Sequence, residues 1–252
     1  MLSLIQTLRG YSLHSLDGAL GSVKEFYFDD RHWTTRYLVA DTGSWLSGRT
    51  VLISPYALSG INRGLKQISI NLTKKQIENS PSPDSHKPVS QQFEEEYNGY
   101  YGWPAYWNGP YAWGGLPYLE RDPKRWKPST RGDSRWDRHL RSSREVTGYN
   151  IEALDGEIGH VEDFVVDDEN WTFRYLIIGT RNWWPGKKVL VSPQWIERVS
   201  WEESKAFINL SRETIQKSPE YSAEALLTRE YETGLHHHYQ RKGYWIDELA
   251  AT

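Results

Sequence analysis

Short runs in which apolar and polar residues alternate dominate this chain, and the same succession of runs occurs twice. From Gly10 the segment GYSLHSLDGALGSVKEFYFDDRHWTTRYLVADT matches GYNIEALDGEIGHVEDFVVDDENWTFRYLIIGT from Gly148, an offset of 138 residues. The match continues without a gap through Ser54-Pro55 and Ser192-Pro193 to Pro81 and Pro219, so the chain is a tandem duplication. Asp17-Gly18 and Asp155-Gly156 are hairpin-turn dipeptides between alternating runs. VKEFYFDD and VEDFVVDD, then RYLVADT and RYLIIGT, then TVLIS and KVLVS, then KQISINL and KAFINL read as strands. Proline lacks the N–H that a central strand donates, so each Ser-Pro stops or edges a strand. Thr73 or Ser211 then caps a short helix, with Gln76 completing a capping box in the first copy only. The pattern predicts roughly five or six strands and about one helix per copy.

The repeat continues more weakly, with Phe93, Glu94 and Tyr101 falling on Tyr231, Glu232 and Tyr239. Val89, Phe93 and Tyr97 recur at every fourth position, as do Leu227, Tyr231 and Leu235, which predicts a trailing helix whose apolar stripe covers its own module.

The succession D-G-x-x-G-x-V-x-x-F-x-x-D-D, W-T-x-R-Y-L and V-L-[IV]-S-P resembles the PRC-barrel family, over about residues 4 to 81 and 142 to 219. The likeness extends to bacterial tandem members through the L-T-x-x-x-I-x-x-S-P helix and the turn Trp183-Trp184-Pro185-Gly186-Lys187, from which the first copy departs at Leu46-Ser47. The resemblance implies two small β-barrel adaptors and no known chemistry. The expected architecture is therefore mainly β: one PRC-like barrel at residues 1–81, a helix and aromatic/basic connector at 82–141, a second barrel at 142–219 and a helical tail at 220–252.

The connector combines a Ser/Pro-rich start, the tract YNGYYGWPAYWNGPYAWGGLPYL and a charged stretch. Solvated linkers lack aromatic residues, so Trp103, Tyr106, Trp107, Tyr111 and Trp113 ask for a surface to dock on. Packing between the barrels, a partner-binding surface and an aromatic platform for sugars or bases are the competing readings. Interleaved Gly and Pro favour a wrapping, turn-rich course over a helix. With Trp183 and Trp184, these rings form the candidate interaction surface.

Composition changes this picture modestly. The 13 Trp and 16 Tyr against 38% hydrophobic residues make the expected cores aromatic. A net charge of -3 gives no global attraction to nucleic acid or anionic membrane. Cysteine is absent, which removes thiolate chemistry and disulfides, and no run reaches the length of a signal or membrane-spanning segment; a soluble, cytoplasmic protein is expected.

No P-loop, G-x-S-x-G, H-E-x-x-H or EF-hand pattern occurs, so no catalytic residue, cofactor or metal is assigned. Asp29-Asp30 and Asp167-Asp168 read as turn acids, because neighbouring strand residues point to opposite faces. Asp17, Gly18, Gly21, Asp155, Gly156 and Gly159 read as turn and close-approach positions. Arg36 and Arg174 are candidates to pair with the turn acids. His236, His237 and His238 diverge around a helix and read as its solvated end. The stretch from Arg121 to Arg144 mixes cations, including Arg125, Arg131, Arg135, Arg138 and Arg141, with Trp126, Trp136 and blunting acids. The reading is a non-catalytic adaptor for an unidentified protein partner, with a homodimer through strand edges as one form. RNA or ribosome association through the basic stretch is the alternative.

Overall fold

The computed structural model describes residues 1–46, 49–82, 89, 91–103, 139–180, 187–222 and 227–246, and the fold is mainly β. The first repeat gives β1 (Leu2–Leu4), α1 (Ile5–Leu8), β2 (Ser12–Ser15), β3 (Gly18–Asp29), β4 (Thr34–Asp41), β5 (Val51–Ile53), β6 (Leu58–Asn62), β7 (Gln67–Ile70), α2 (Lys74–Glu78) and α3 (Gln91–Tyr101). The second gives β8 (Leu140–Ser142), α4 (Ser143–Val146), β9 (Asn150–Ala153), β10 (Gly156–Asp167), β11 (Thr172–Gly179), β12 (Lys188–Val191), β13 (Ile196–Ser200), β14 (Lys205–Ile208), α5 (Arg212–Gln216) and α6 (Arg229–His238). Each element of one repeat recurs in the other, in the same order. The seven described strands per repeat exceed the expected number because β1 and β8, three residues each, carry too short a pattern to register, and because β6 and β13, directly after each Ser-Pro turn, fall outside the runs that read as strands.

The chain forms two compact units, and neither is a contiguous repeat. The first comprises Ile5–Ser143 with Asp168–Thr172; the second comprises Met1–Leu4, Arg144–Asp167 and Phe173–Thr252. In the first unit the long strand β3 pairs with β4 along one edge. Its other edge holds β2 against Gly18–Ser22 and β8 against Tyr27–Asp29. Parallel pairing of β2 with β7 and antiparallel pairings of β7 with β6 and of β4 with β5 complete the order β6–β7–β2–β3–β4–β5. Among the described residues this ladder has two ends and is not closed into a ring.

The second unit has the corresponding order β13–β14–β9–β10–β11–β12, with β1 on β10 from Leu4↔Val165 to Leu2↔Asp167. The strand that opens each repeat therefore completes the unit built on the other. Helix α1 starts at Ile5 directly after β1, leaving no turn in which β1 could reverse onto β3. Ile5 and Leu8 are fully buried.

Strand β4 is buried from Thr34 to Ala40, as expected where both faces are covered. On one face Tyr37, Val39 and Leu52 meet Val89 and Tyr97, with Phe93 and Tyr101 alongside, so the predicted stripe packs on its own unit. Each Ser-Pro ends a strand and opens one 3-10 turn, Pro55–Ala57 or Pro193–Trp195, with the serine hydroxyl as cap. The capping box of Thr73 and Gln76 is present, and Ser211 caps α5 through the Thr214 N–H at 3.2 Å. Among the described residues no helix is long and apolar enough to cross a membrane.

Candidate functional site

Helix α3 forms on a spacing of four, and its stripe ends in Tyr97 and Tyr101. Tyr97 is buried; its hydroxyl donates to Leu52 O at 2.9 Å and accepts from the Ser54 N–H at 3.2 Å. Burial first, and then the neighbouring Tyr101, raises this phenol far above its ordinary value, so it stays a donor across the working pH range. The Trp103 N–H returns to Asn98 O at 2.9 Å and closes the helix. That turn lays the Trp103 indole on Tyr101, with centroids 4.4 Å apart and planes 13° apart, and beside Tyr56 at 5.8 Å.

A cleft of about 320 Å³ opens in front of these rings, lined by Tyr56, Asn71, Gln76, Tyr100, Tyr101 and Trp103 among others. Tyr100 is 43% exposed and donates to Gln76 O at 3.0 Å. A stack of rings edged by amides and a phenol can take a flat or ring-bearing side chain of a partner and fix it with hydrogen bonds.

Beneath this face, the polar groups shared by the repeats are turned inward. Glu94 and Arg36, each 1% exposed, form an ion pair, and the Tyr37 hydroxyl donates to Glu94 Oε1 at 2.9 Å. Asp29 Oδ2 stands 3.9 Å from the same guanidinium. Burial first, and then the Glu94 charge, raises the Tyr37 phenol well above its ordinary value. In the second unit Tyr175 donates to Glu232 at 2.9 Å, Tyr244 donates to the same carboxylate oxygen at 2.8 Å, and Arg174 holds Asp167 at 3.1 Å. The glutamate inside an otherwise apolar stripe is what sequence reading passed over. Its recurrence at Glu94 and Glu232 was the available signal.

The turn acids have defined partners. Asp29 Oδ1 accepts the N–H groups of Arg31 and His32 at 2.8 and 3.0 Å. Asp30 binds His139 and Arg141, and Asp168 binds Arg63. Asp17 Oδ1 accepts the Lys74 N–H at 2.8 Å, and Asp155 Oδ1 accepts that of Arg212 at 2.7 Å, so each hairpin is tied to the short helix after the last strand. The Lys74 N–H first, then the Ser15 hydroxyl, lowers the Asp17 carboxyl below its ordinary value. Gly18 and Gly156 form the hairpin turns at positive φ, and Gly21 and Gly159 lie where the backbone of the neighbouring strand passes closely.

His236 corrects the reading of a solvated helix end. It is 2% exposed, caged by Trp195 at 5.3 Å and Trp245 at 5.0 Å, because α6 runs through His238 and turns this position onto β11; His237 alone of the three is exposed. His238 Nε2 lies 2.8 Å from Thr214 O. Among the described residues no group of three His, Asp or Glu side chains could hold a metal ion.

Of the candidate aromatic surface, Trp103 lies on the cleft, while Tyr106, Trp107, Tyr111, Trp113, Trp183 and Trp184 lie outside the described residues. Of the basic stretch, Arg141 is 7% exposed and is spent on Asp30, and residues 121–138 lie outside the described residues. Tyr56, Asn71 and Gln76 join the cleft from a 3-10 turn, a strand end and α2, a juxtaposition that no local pattern announces. No family model matches the chain, and no curated protein matches it.

Proposed function

We propose that this chain is a non-catalytic adaptor of two PRC-like modules that binds a partner polypeptide on the ring-lined cleft of its first unit. The observation that carries this is the cleft itself: Trp103, Tyr101 and Tyr56 stacked at its wall, with Tyr100 exposed at its edge. Aromatic anchors edged by polar groups are what protein recognition surfaces concentrate.

The acids and tyrosines that both repeats share support the same reading, since Tyr37 is bonded to Glu94 in the first unit and Tyr175 to Glu232 in the second, all four buried. Of the end strands, β6 and β13 are less suited to receive a partner strand. Both β6 and β13 carry a register shift at equivalent places, and such bulges blunt an edge against further pairing. The kinship with PRC-barrels rests on the D-G-x-x-G, W-T-x-R-Y-L and V-L-[IV]-S-P succession, and the PRC-like identity of each open ladder is part of the proposal.

Affinity capture from native lysate, with and without nuclease, tests this function. A protein set that survives nuclease is expected. Loss of every captured protein on nuclease treatment would move the function to RNA or ribosome association.

A further inference from the structure

The two repeats build one frame around their 3-10 turns and fill it differently. Asn71 and Asn209 are counterparts, and their N–H groups donate to Ala57 O at 2.7 Å and to Trp195 O at 3.0 Å. Tyr100 and His238 are counterparts too, and each ring reaches the equivalent backbone carbonyl. Tyr100 donates to Gln76 O at 3.0 Å, and His238 Nε2 lies 2.8 Å from Thr214 O. Trp103 and Arg241 return their N–H groups to Asn98 O and His236 O at 2.9 and 3.0 Å. The strand end, the short helix and the end of the trailing helix are thus tied together alike in both units.

Within that frame the second unit closes itself with an indole. Trp195 is 4% exposed, its ring centroid 4.4 Å from that of Tyr239 and 5.3 Å from that of His236. The same position in the first unit is Ala57, whose methyl group leaves an indole's volume unfilled. Trp103 lies on Tyr101 instead, and the space over Ala57 and Leu72 stays open as the cleft. An apolar floor beside stacked rings gains free energy by burying one large apolar side chain.

The polar rim says which one. Tyr100 spends its single proton on Gln76 O, so its oxygen is left to accept. Gln76 spends its side-chain oxygen on the Thr73 N–H and hydroxyl, at 2.9 and 3.0 Å, so its amide presents two N–H donors. An acceptor at the rim matches an indole N–H, and donors match the peptide carbonyls on either side of a tryptophan. The described residues that line the cleft are all uncharged and give a phosphate no counter-charge, which favours a peptide over a nucleotide.

We propose, on the reading that the cleft is a polypeptide site, that its occupant is a single tryptophan side chain on an extended segment of a partner protein. The partner supplies in trans the indole that Trp195 supplies within the second unit. Tryptophan is also the anchor that energetically dominant interface pockets favour.

The test uses amide-resolved NMR of the full chain with N-acetyl-tryptophanamide, the corresponding phenylalanine and proline amides, and adenosine monophosphate. The tryptophan amide should shift Asn71, Gln76 and Trp103 saturably, leave Asn209, Thr214 and Arg241 in place, and bind about fivefold tighter than the phenylalanine amide. Ala57→Trp and Trp103→Arg, which borrow the second repeat's residues, should each abolish the shifts at Asn71 and Gln76. The ranking of ligands on the wild-type chain needs neither variant to fold. Equal or tighter binding of the phenylalanine amide, the proline amide or adenosine monophosphate overturns the proposal. So does the absence of any shift, and so do shifts that survive in a folded Ala57→Trp chain. A wild-type dimer that Ala57→Trp dissociates in sedimentation would seat a second copy in the cleft and overturn the separate partner. The polypeptide site is read independently: protein captured from nuclease-treated lysate by the wild type and not by Trp103→Arg keeps that reading even where the indole fails, and capture by both removes it.

Discussion

Replacing Glu94 by alanine should destabilise the first unit by about 3–5 kcal/mol, the loss typical when one member of a buried ion pair is removed. Arg36 is 1% exposed, and Glu94 is its ion-pair partner, so the substitution takes a close carboxylate from a buried guanidinium, whose Asp29 neighbour stands further off at 3.9 Å. The same change takes the acceptor from the Tyr37 hydroxyl, and an unsatisfied buried donor adds a desolvation cost of its own. Urea unfolding followed by fluorescence measures the loss. A second variant separates charge from packing: Arg36→Met with Glu94→Leu removes both charges at similar volume and should recover most of the stability. A loss below about 1 kcal/mol for Glu94→Ala would mean that this pair sees water and that α3 is not clamped by it.

Alanine at Gly21 or at Gly159 should be comparably damaging, at about 3 kcal/mol or more, for a steric reason. A Cβ on Gly21 would stand 2.0 Å from Asp41 O, and one on Gly159 would stand 2.0 Å from Gly179 O. In both cases the obstructing atom is strand backbone held in a ladder, so it cannot step aside as a side-chain tip would. The φ angles of +142° and +153° add conformational strain for any residue with a Cβ. Gly60→Ala, with open space around it, is the control and should change thermal stability by little. Near-wild-type melting of Gly21→Ala would contradict the close passage of β3 and β4.

Much of the fold was legible because its signals are local. The repeat offset carries every element across, Ser-Pro marks the strand ends, and Thr73 with Gln76 marks a helix start. The exchange of β1 and β8 was not legible. LSL and LRS are each three residues long, and their partners at Val165–Asp167 and Tyr27–Asp29 lie more than a hundred positions away, beyond the reach of any periodicity. At the candidate site, the sequence pointed to Trp103 but not to the Tyr56, Asn71 and Gln76 that complete its cleft, since three separate elements supply them. His236 was misjudged for a different reason. A run of three histidines suggests solvent, yet a helix turns each by about 100°, so one can face the core beside Leu235 while the next faces water.

The claim that the ring-lined cleft receives a polypeptide is tested most directly by site-specific photo-crosslinking in native lysate treated with nuclease. A photoreactive phenylalanine analogue at Gln76, in α2 on the cleft, is compared with one at Leu65, which is 70% exposed in the turn between β6 and β7 of the same unit. Discrete protein adducts are expected from position 76 that disappear when Trp103 is replaced by alanine, and none from position 65. Equal labelling from both positions, or adducts at position 76 that are indifferent to Trp103→Ala, would contradict it.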